Sequence, residues 1–243
     1  MEPVLIVLAS STGAVVFAAA GILPLLGRDN VPRAWLGWAN ASAAGVMLGA
    51  AFLLADHGIG GQPLALGAGA LVGIGFVWWT HEVSGTGELD RDLQGPAPET
   101  YGSDILLVGA LHSAAEGLAI GAAMAVDLTL GIWIAATIAL HNVPEATVLA
   151  AVLRARGYGT PRVLLLTLVG AAPIVPMAVS AFAVVDAAPQ VAPWALGFGS
   201  GTLIYLVTVD LLPESYRQAG ATSIALVALL AMGMVAAVRE FVR

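Results

Sequence analysis

The chain contains no cysteine and no lysine, and only 10% of its 243 residues are charged. The first absence excludes a disulfide framework and any thiolate metal site, so a bound metal would have to be held by His, carboxylate, amide, hydroxyl or water. The second makes all nine basic residues arginine, which beside the abundant alanine and glycine we read as genomic base composition and not as chemistry. The shortage of charge excludes an ordinary soluble domain, for which about 25% is usual. Strict alternation of apolar and polar residues is also missing, which argues against a transmembrane β-barrel. With a formal net charge of -7, nucleic acid is not an expected partner, whereas cations would be enriched near the surface.

What is present is hydrophobicity, 59% of residues, arranged in runs close to the ~20 residues that a helix needs to cross a bilayer. The expected fold is all-α, a polytopic membrane protein of eight helices. The spans are Val4 to Leu26, Ala34 to Ala55, Gln62 to Thr80, Ile105 to Val126, Leu128 to Leu153, Val163 to Val185, Val191 to Leu212 and Ala221 to Val238. Met1-Glu2-Pro3 lacks the basic start of a signal peptide, and the run behind it is long enough to span. Residues 1–243 read as one transmembrane domain, with Glu82 to Asp104 as a flexible cytoplasmic loop around Gly95-Pro96-Ala97-Pro98. Arg28, Arg33, Arg91, Arg154, Arg156, Arg162 and Arg217 all fall on one side of the eight spans. The positive-inside bias makes that side cytoplasmic and both termini extracytoplasmic. Spans two (Ser42 to His57) and seven (Ser200 to Glu214) echo each other in opposite directions, as inverted repeats do.

Ionisable groups inside spans are costly and mark function. Span four carries His112-Ser113-Ala114-Ala115-Glu116 and span five His141-Asn142-Val143-Pro144-Glu145. A separation of four places each His and its Glu on one helix face. His112 and Glu145 both lie roughly nine residues, or about 13 Å, from the cytoplasmic end, near the bilayer midplane. Glu116 and His141 form a matching level one turn further out. Two imidazoles and two carboxylates at one depth suit a first-row divalent ion. Pro144 cannot donate to the carbonyl of Leu140, so a kink beside the site is expected.

These paired segments, His112-Ser-Ala-Ala-Glu116-Gly117-Leu118-Ala119 and His141-Asn142-Val-Pro144-Glu145, resemble the signatures of the fourth and fifth helices of the ZIP family of divalent-metal transporters. The end of span seven, Asp210-Leu-Leu-Pro213-Glu214, is similar to that family as well. The resemblance implies uptake of Zn²⁺, Fe²⁺, Mn²⁺ or a related ion toward the cytoplasm, across the plasma membrane and often by a dimer. It implies no enzyme activity and no prosthetic group, the ion being cargo. The family's second metal site draws on the residue after each motif His and on a carboxylate in helix six. Here those neighbours are Ser113 and Asn142, and span six has no carboxylate before Asp186. One principal ion is therefore expected, on His112, Glu116, His141 and Glu145, with Ser113 and Asn142 in secondary roles.

Other polar residues are candidates for the ion path: Asp56 and His57 at the outer end of span two, His81 with Glu82, and Asp210 with Glu214 at the inner ends of spans three and seven. Glu214 could equally pair with Arg217, and Asp127 could be a turn residue. Two rival functions use the same buried residues. One is an intramembrane metallohydrolase, against which the missing His-Glu-x-x-His motif counts. The other is a proton-coupled solute carrier, whose transport would survive chelation of metals.

Overall fold

In the computed structural model, which describes residues 2–26, 31–60, 62–84, 101–237 and 240, helices account for all regular structure and no strand occurs among the described residues. Helix α1 (Pro3–Ala18) tightens into a 3₁₀ segment, Ala19–Leu25. It is followed by α2 (Arg33–Ile59), α3 (Pro63–Ser84), α4 (Tyr101–Val126) and α5 (Leu128–Ala155). Then come α6 (Thr160–Ala171), α7 (Ile174–Ala187), α8 (Ala192–Leu206), α9 (Leu212–Ala219) and α10 (Ala221–Ala237). Among the described residues seven stretches are long and apolar enough to cross a membrane, α6–α7 and α8–α9 counting as one each. The eighth, α10, has 17 residues, at the lower limit for a span.

Two spans are not the uninterrupted helices that the hydropathy suggests. Span six breaks between Ala171 and Ile174, where Pro173 has no amide to continue the ladder. Span seven passes through a π-helical turn, Val207–Leu211, before α9. By contrast α5 runs through Pro144 as one helix of 28 residues. The loop expected over Glu82 to Asp104 is shorter at both ends, since α3 reaches Ser84 and α4 begins at Tyr101; residues 85–100, with Arg91 and the Gly-Pro segment, lie outside the described residues. Asp127 is a turn residue, its Oδ1 accepting the Leu130 amide at 2.7 Å to cap α5.

The spans α2, α4, α5 and α8–α9 are more than half buried, while α1, α3 and α6–α7 are about one third buried. Without a hydrophobic drive between helices in lipid, close approach depends on small residues. Helices α3 and α8 meet reciprocally in this way: Gly69 and Gly73 lie against the carbonyls of Trp194 and Phe198, and Gly197 and Gly201 against those of Leu66 and Ala70, leaving no room for a Cβ. Gly117 and Gly121 on α4 likewise face the carbonyls of Ile174 and Ala178 on α7. The break at Pro173 starts α7 at that contact. Leu64, Leu71, Leu229 and Met234 are more than 60% exposed, as expected of lipid-facing positions. Trp35, Trp38, Trp78 and Trp79, also exposed, gather with Arg33, Arg154, Arg156, Arg162 and Arg217 at one end of the bundle. That is where an interfacial aromatic belt belongs.

Candidate metal centre

The inner helices α4 and α5 are joined by the single residue Asp127 and therefore run antiparallel. His112 and Glu116 occupy one face of α4, and His141 and Glu145 one face of α5. The structure brings all four together, with one ligating atom from each lying within 4.8 Å of the others. His141 Nε2 is 2.8 Å from Glu116 Oε1 and donates to it. His112 Nε2 lies 3.2 Å from the same oxygen and 3.7 Å from Glu145 Oε2, which is in turn 3.8 Å from His141 Nε2. Four ligands at 2.0–2.1 Å from a tetrahedral ion would be separated by about 3.3 Å. The printed distances straddle that value, so small side-chain adjustments suffice.

Burial makes the centre expensive unless something positive enters it. His112, Glu116 and His141 are at most 4% exposed, and Glu116 Oε2 and His141 Nδ1 have no hydrogen-bond partner. A buried carboxylate oxygen without a donor is a standing cost of several kcal/mol. A divalent cation between the four groups would offset it. Among the described residues no other group of three or more His, Asp or Glu side chains has geometry fit for a metal.

The surroundings are asymmetric. Toward the Asp127 end the centre is sealed by Ala119, Ile120, Ala123, Ile134 and Ile138, all fully buried. Toward the arginine-bearing end, the Glu145 side chain is 31% exposed. It borders a small cavity of about 40 Å³ whose lining includes Gly109, Ser113, Asn142, Leu149, Thr167 and Gly170. Ser113 and Asn142, the residues that follow the two histidines, line this cavity together with Glu145. Asn142 donates its amide to the Ala14 carbonyl of α1 at 3.2 Å. The participation of α1 and α6 in this cavity was not legible in the sequence, because Ala18, Thr167 and Gly170 carry no motif of their own.

The outlying candidates are rearranged. His81 and Asp210, assigned from the sequence to different pairs, meet across α3 and the π-helical turn at 3.6 Å, with the Tyr205 ring tilted over His81. Glu82 is exposed. Glu214 is buried against its own helix, its carboxylate accepting from Arg217 at 2.6 Å and from Gln218. The helix-pairing alternative therefore holds for Glu214. His57 turns its Nδ1 to the Leu53 carbonyl at 3.1 Å and closes the end of α2.

Comparison with known proteins agrees with the geometry. The profile of the ZIP zinc transporter family matches residues 92–238, which include both His/Glu segments. A candidate zinc transporter of Arabidopsis thaliana is 30% identical over 84% of this chain and 34% of its own length. Zinc transporter SLC39A7 of Mus musculus is 36% identical over 52% of this chain and 29% of its own length. Zinc transporter zipt-7.2 of Caenorhabditis elegans is 35% identical over 42% of this chain and 23% of its own length. The chain thus spans about a third or less of the length of these relatives. An all-α bundle of membrane-spanning helices, a buried His/Glu cluster on α4 and α5, and the match over residues 92–238 together make this chain an integral membrane protein of the ZIP zinc transporter family.

Proposed function

We propose that the chain transports divalent metal ions, zinc, iron, manganese or similar, across the membrane toward the cytoplasm through His112, Glu116, His141 and Glu145. The observation that carries this reading is the convergence of the four side chains in the middle of the bundle with buried polar atoms left unpartnered. The His141 Nε2 that contacts Glu116 would ligate an ion in its deprotonated form, with Nδ1 carrying the ring proton. Ligation by nitrogen and oxygen alone favours release over the tighter hold of thiolates. The metallohydrolase alternative is less well supported, because four protein ligands leave little of the open position that water activation needs.

In this reading residues 1–243 form one transporter unit in the plasma membrane, with both termini extracytoplasmic and the α3–α4 connection cytoplasmic. The arginines at one end support that orientation. The sealed Asp127 side and the opening beside Glu145 correspond to an inward-facing conformation. Alternating access then requires α4 and α5, which hold all four ligands, to move against their neighbours. His81 and Asp210 stand at the cytoplasmic ends of their spans as a receiving pair for the departing ion. Assembly as a homodimer belongs to the same reading.

The test is uptake of radiolabelled zinc, manganese and iron into proteoliposomes by the full chain, beside His141→Ala and Glu145→Ala. Transport of at least one ion, lost in both variants and abolished by a chelator, is expected. Wild-type rates in both variants would remove the site; flux that persists under chelation would favour the solute carrier.

A further inference from the structure

The cavity beside Glu145 has a chemistry of its own. Its polar lining comes from Ser113, Asn142, Glu145 and Thr167, drawn from α4, α5 and α6. Thr167 donates its hydroxyl proton to the Val163 carbonyl at 2.9 Å, and Asn142 donates to the Ala14 carbonyl. With the Thr167 hydroxyl proton and one of the two Asn142 amide protons committed elsewhere, the oxygens of Thr167 and Asn142 remain as acceptors and Glu145 adds carboxylate oxygen, against two remaining donors, the second Asn142 N–H and the Ser113 hydroxyl. The cavity therefore has more acceptor than donor capacity. Its volume of about 40 Å³ exceeds the ~10–15 Å³ that one water requires. Gly170 is buried in its wall, yet a Cβ placed there would meet nothing within 4 Å. The glycine keeps space open; it is not needed for close packing.

A metal-bound water is an unusual ligand, since its oxygen faces the ion and both its hydrogens must be donated. A chamber rich in acceptors next to one ligand of the centre matches that demand. A second dication matches it poorly, because Glu145 is the sole carboxylate in the lining and is shared with the principal site. We propose that this chamber supplies a water ligand to the transported ion, and that the space left by Gly170 lets the site accept ions that require more than four ligands. Four side chains satisfy Zn²⁺, whereas Mn²⁺ and Fe²⁺ favour five or six positions. The inference rests on the proposed metal site and concerns the coordination number of the ion held there.

The experiment uses the full chain purified in detergent micelles, with Mn²⁺ as a paramagnetic probe and Zn²⁺ as competitor. Proton ENDOR of bound Mn²⁺ in H₂O and D₂O is expected to show exchangeable protons of a coordinated water. Gly170→Leu, which fills the chamber from α6 and replaces none of the proposed ligands, is expected to lose that signal and to weaken Mn²⁺ at least tenfold, with Zn²⁺ changed less than threefold. Thr167→Val keeps the volume but removes the acceptor, and is expected to shift the Mn²⁺-to-Zn²⁺ ratio in the same direction by a smaller factor. Wild-type protein without exchangeable protons on Mn²⁺, or binding two ions per chain, would overturn the proposal. So would an unchanged ion ratio in both variants. Failure of the metal-site reading looks different: wild-type protein would bind no ion, or His141→Ala would bind as tightly as wild type.

Discussion

Glu116 on α4 and His141 on α5 are joined by a 2.8 Å hydrogen bond between two side chains that are 1% and 0% exposed. Each is held one helical turn from a second partner, His112 or Glu145, so the contact fixes the register of two antiparallel helices as well as the spacing of four donors. Glu116→Gln keeps the shape but removes the charge that would balance a cation. Isothermal titration with Zn²⁺ in micelles is expected to show affinity lowered more than tenfold, which is about 1.4 kcal/mol or more. An unchanged titration would place the ion elsewhere.

The contact between His81 and Asp210 predicts a kinetic effect distinct from an affinity effect. Asp210→Asn is expected to slow zinc uptake severalfold while leaving equilibrium binding at the four-residue centre within about threefold, roughly 0.6 kcal/mol. Stopped-flow uptake beside equilibrium titration separates the two. Equal losses in both measurements would make Asp210 part of the binding site and not of the exit.

Because the chain has no cysteine, single-cysteine variants report accessibility without background. Leu149→Cys, on the cavity side, is expected to react with a membrane-impermeant maleimide applied to the arginine-bearing face, and Ile138→Cys, in the sealed layer, to remain unlabelled. Labelling of Leu149→Cys only from the opposite face would reverse the proposed orientation.

The reciprocal glycine contacts between α3 and α8 make a stability prediction. Gly73→Val drives a side chain into the Phe198 carbonyl, and overpacking of this kind costs about 1–3 kcal/mol. Gly75→Ala, two positions away, meets nothing within 4 Å and serves as the control. Thermal unfolding in micelles should show a lower midpoint for the first and none of that loss for the second.

Hydropathy gave the spans because a bilayer imposes one length on every crossing, and His112, Glu116, His141 and Glu145 stood out because such groups are rare inside apolar runs. The spacing of four was enough to place each pair on one face, and Asp127 between the spans was enough to make them antiparallel. Local sequence also accounts for the Asp127 cap and for Glu214 with Arg217, since both partners lie within one turn. It did not join His81 to Asp210, whose separation along the chain leaves no periodicity to read. Nor did it indicate the break at Pro173, because a single proline is compatible with either a kinked or an interrupted helix.

The sequence by itself determined the class of the protein and the grouping of its four ionisable residues in pairs on helix faces, consequences of the length of apolar runs and of helix periodicity. Only the tertiary structure decided which oxygen the two histidines share, that Asn142 is committed to the Ala14 carbonyl, and that a chamber walled by Thr167 and Gly170 lies beside Glu145. Those features depend on the packing of α1 and α6 against α4 and α5. Such packing is set by contacts between residues far apart in the chain, which no local pattern encodes.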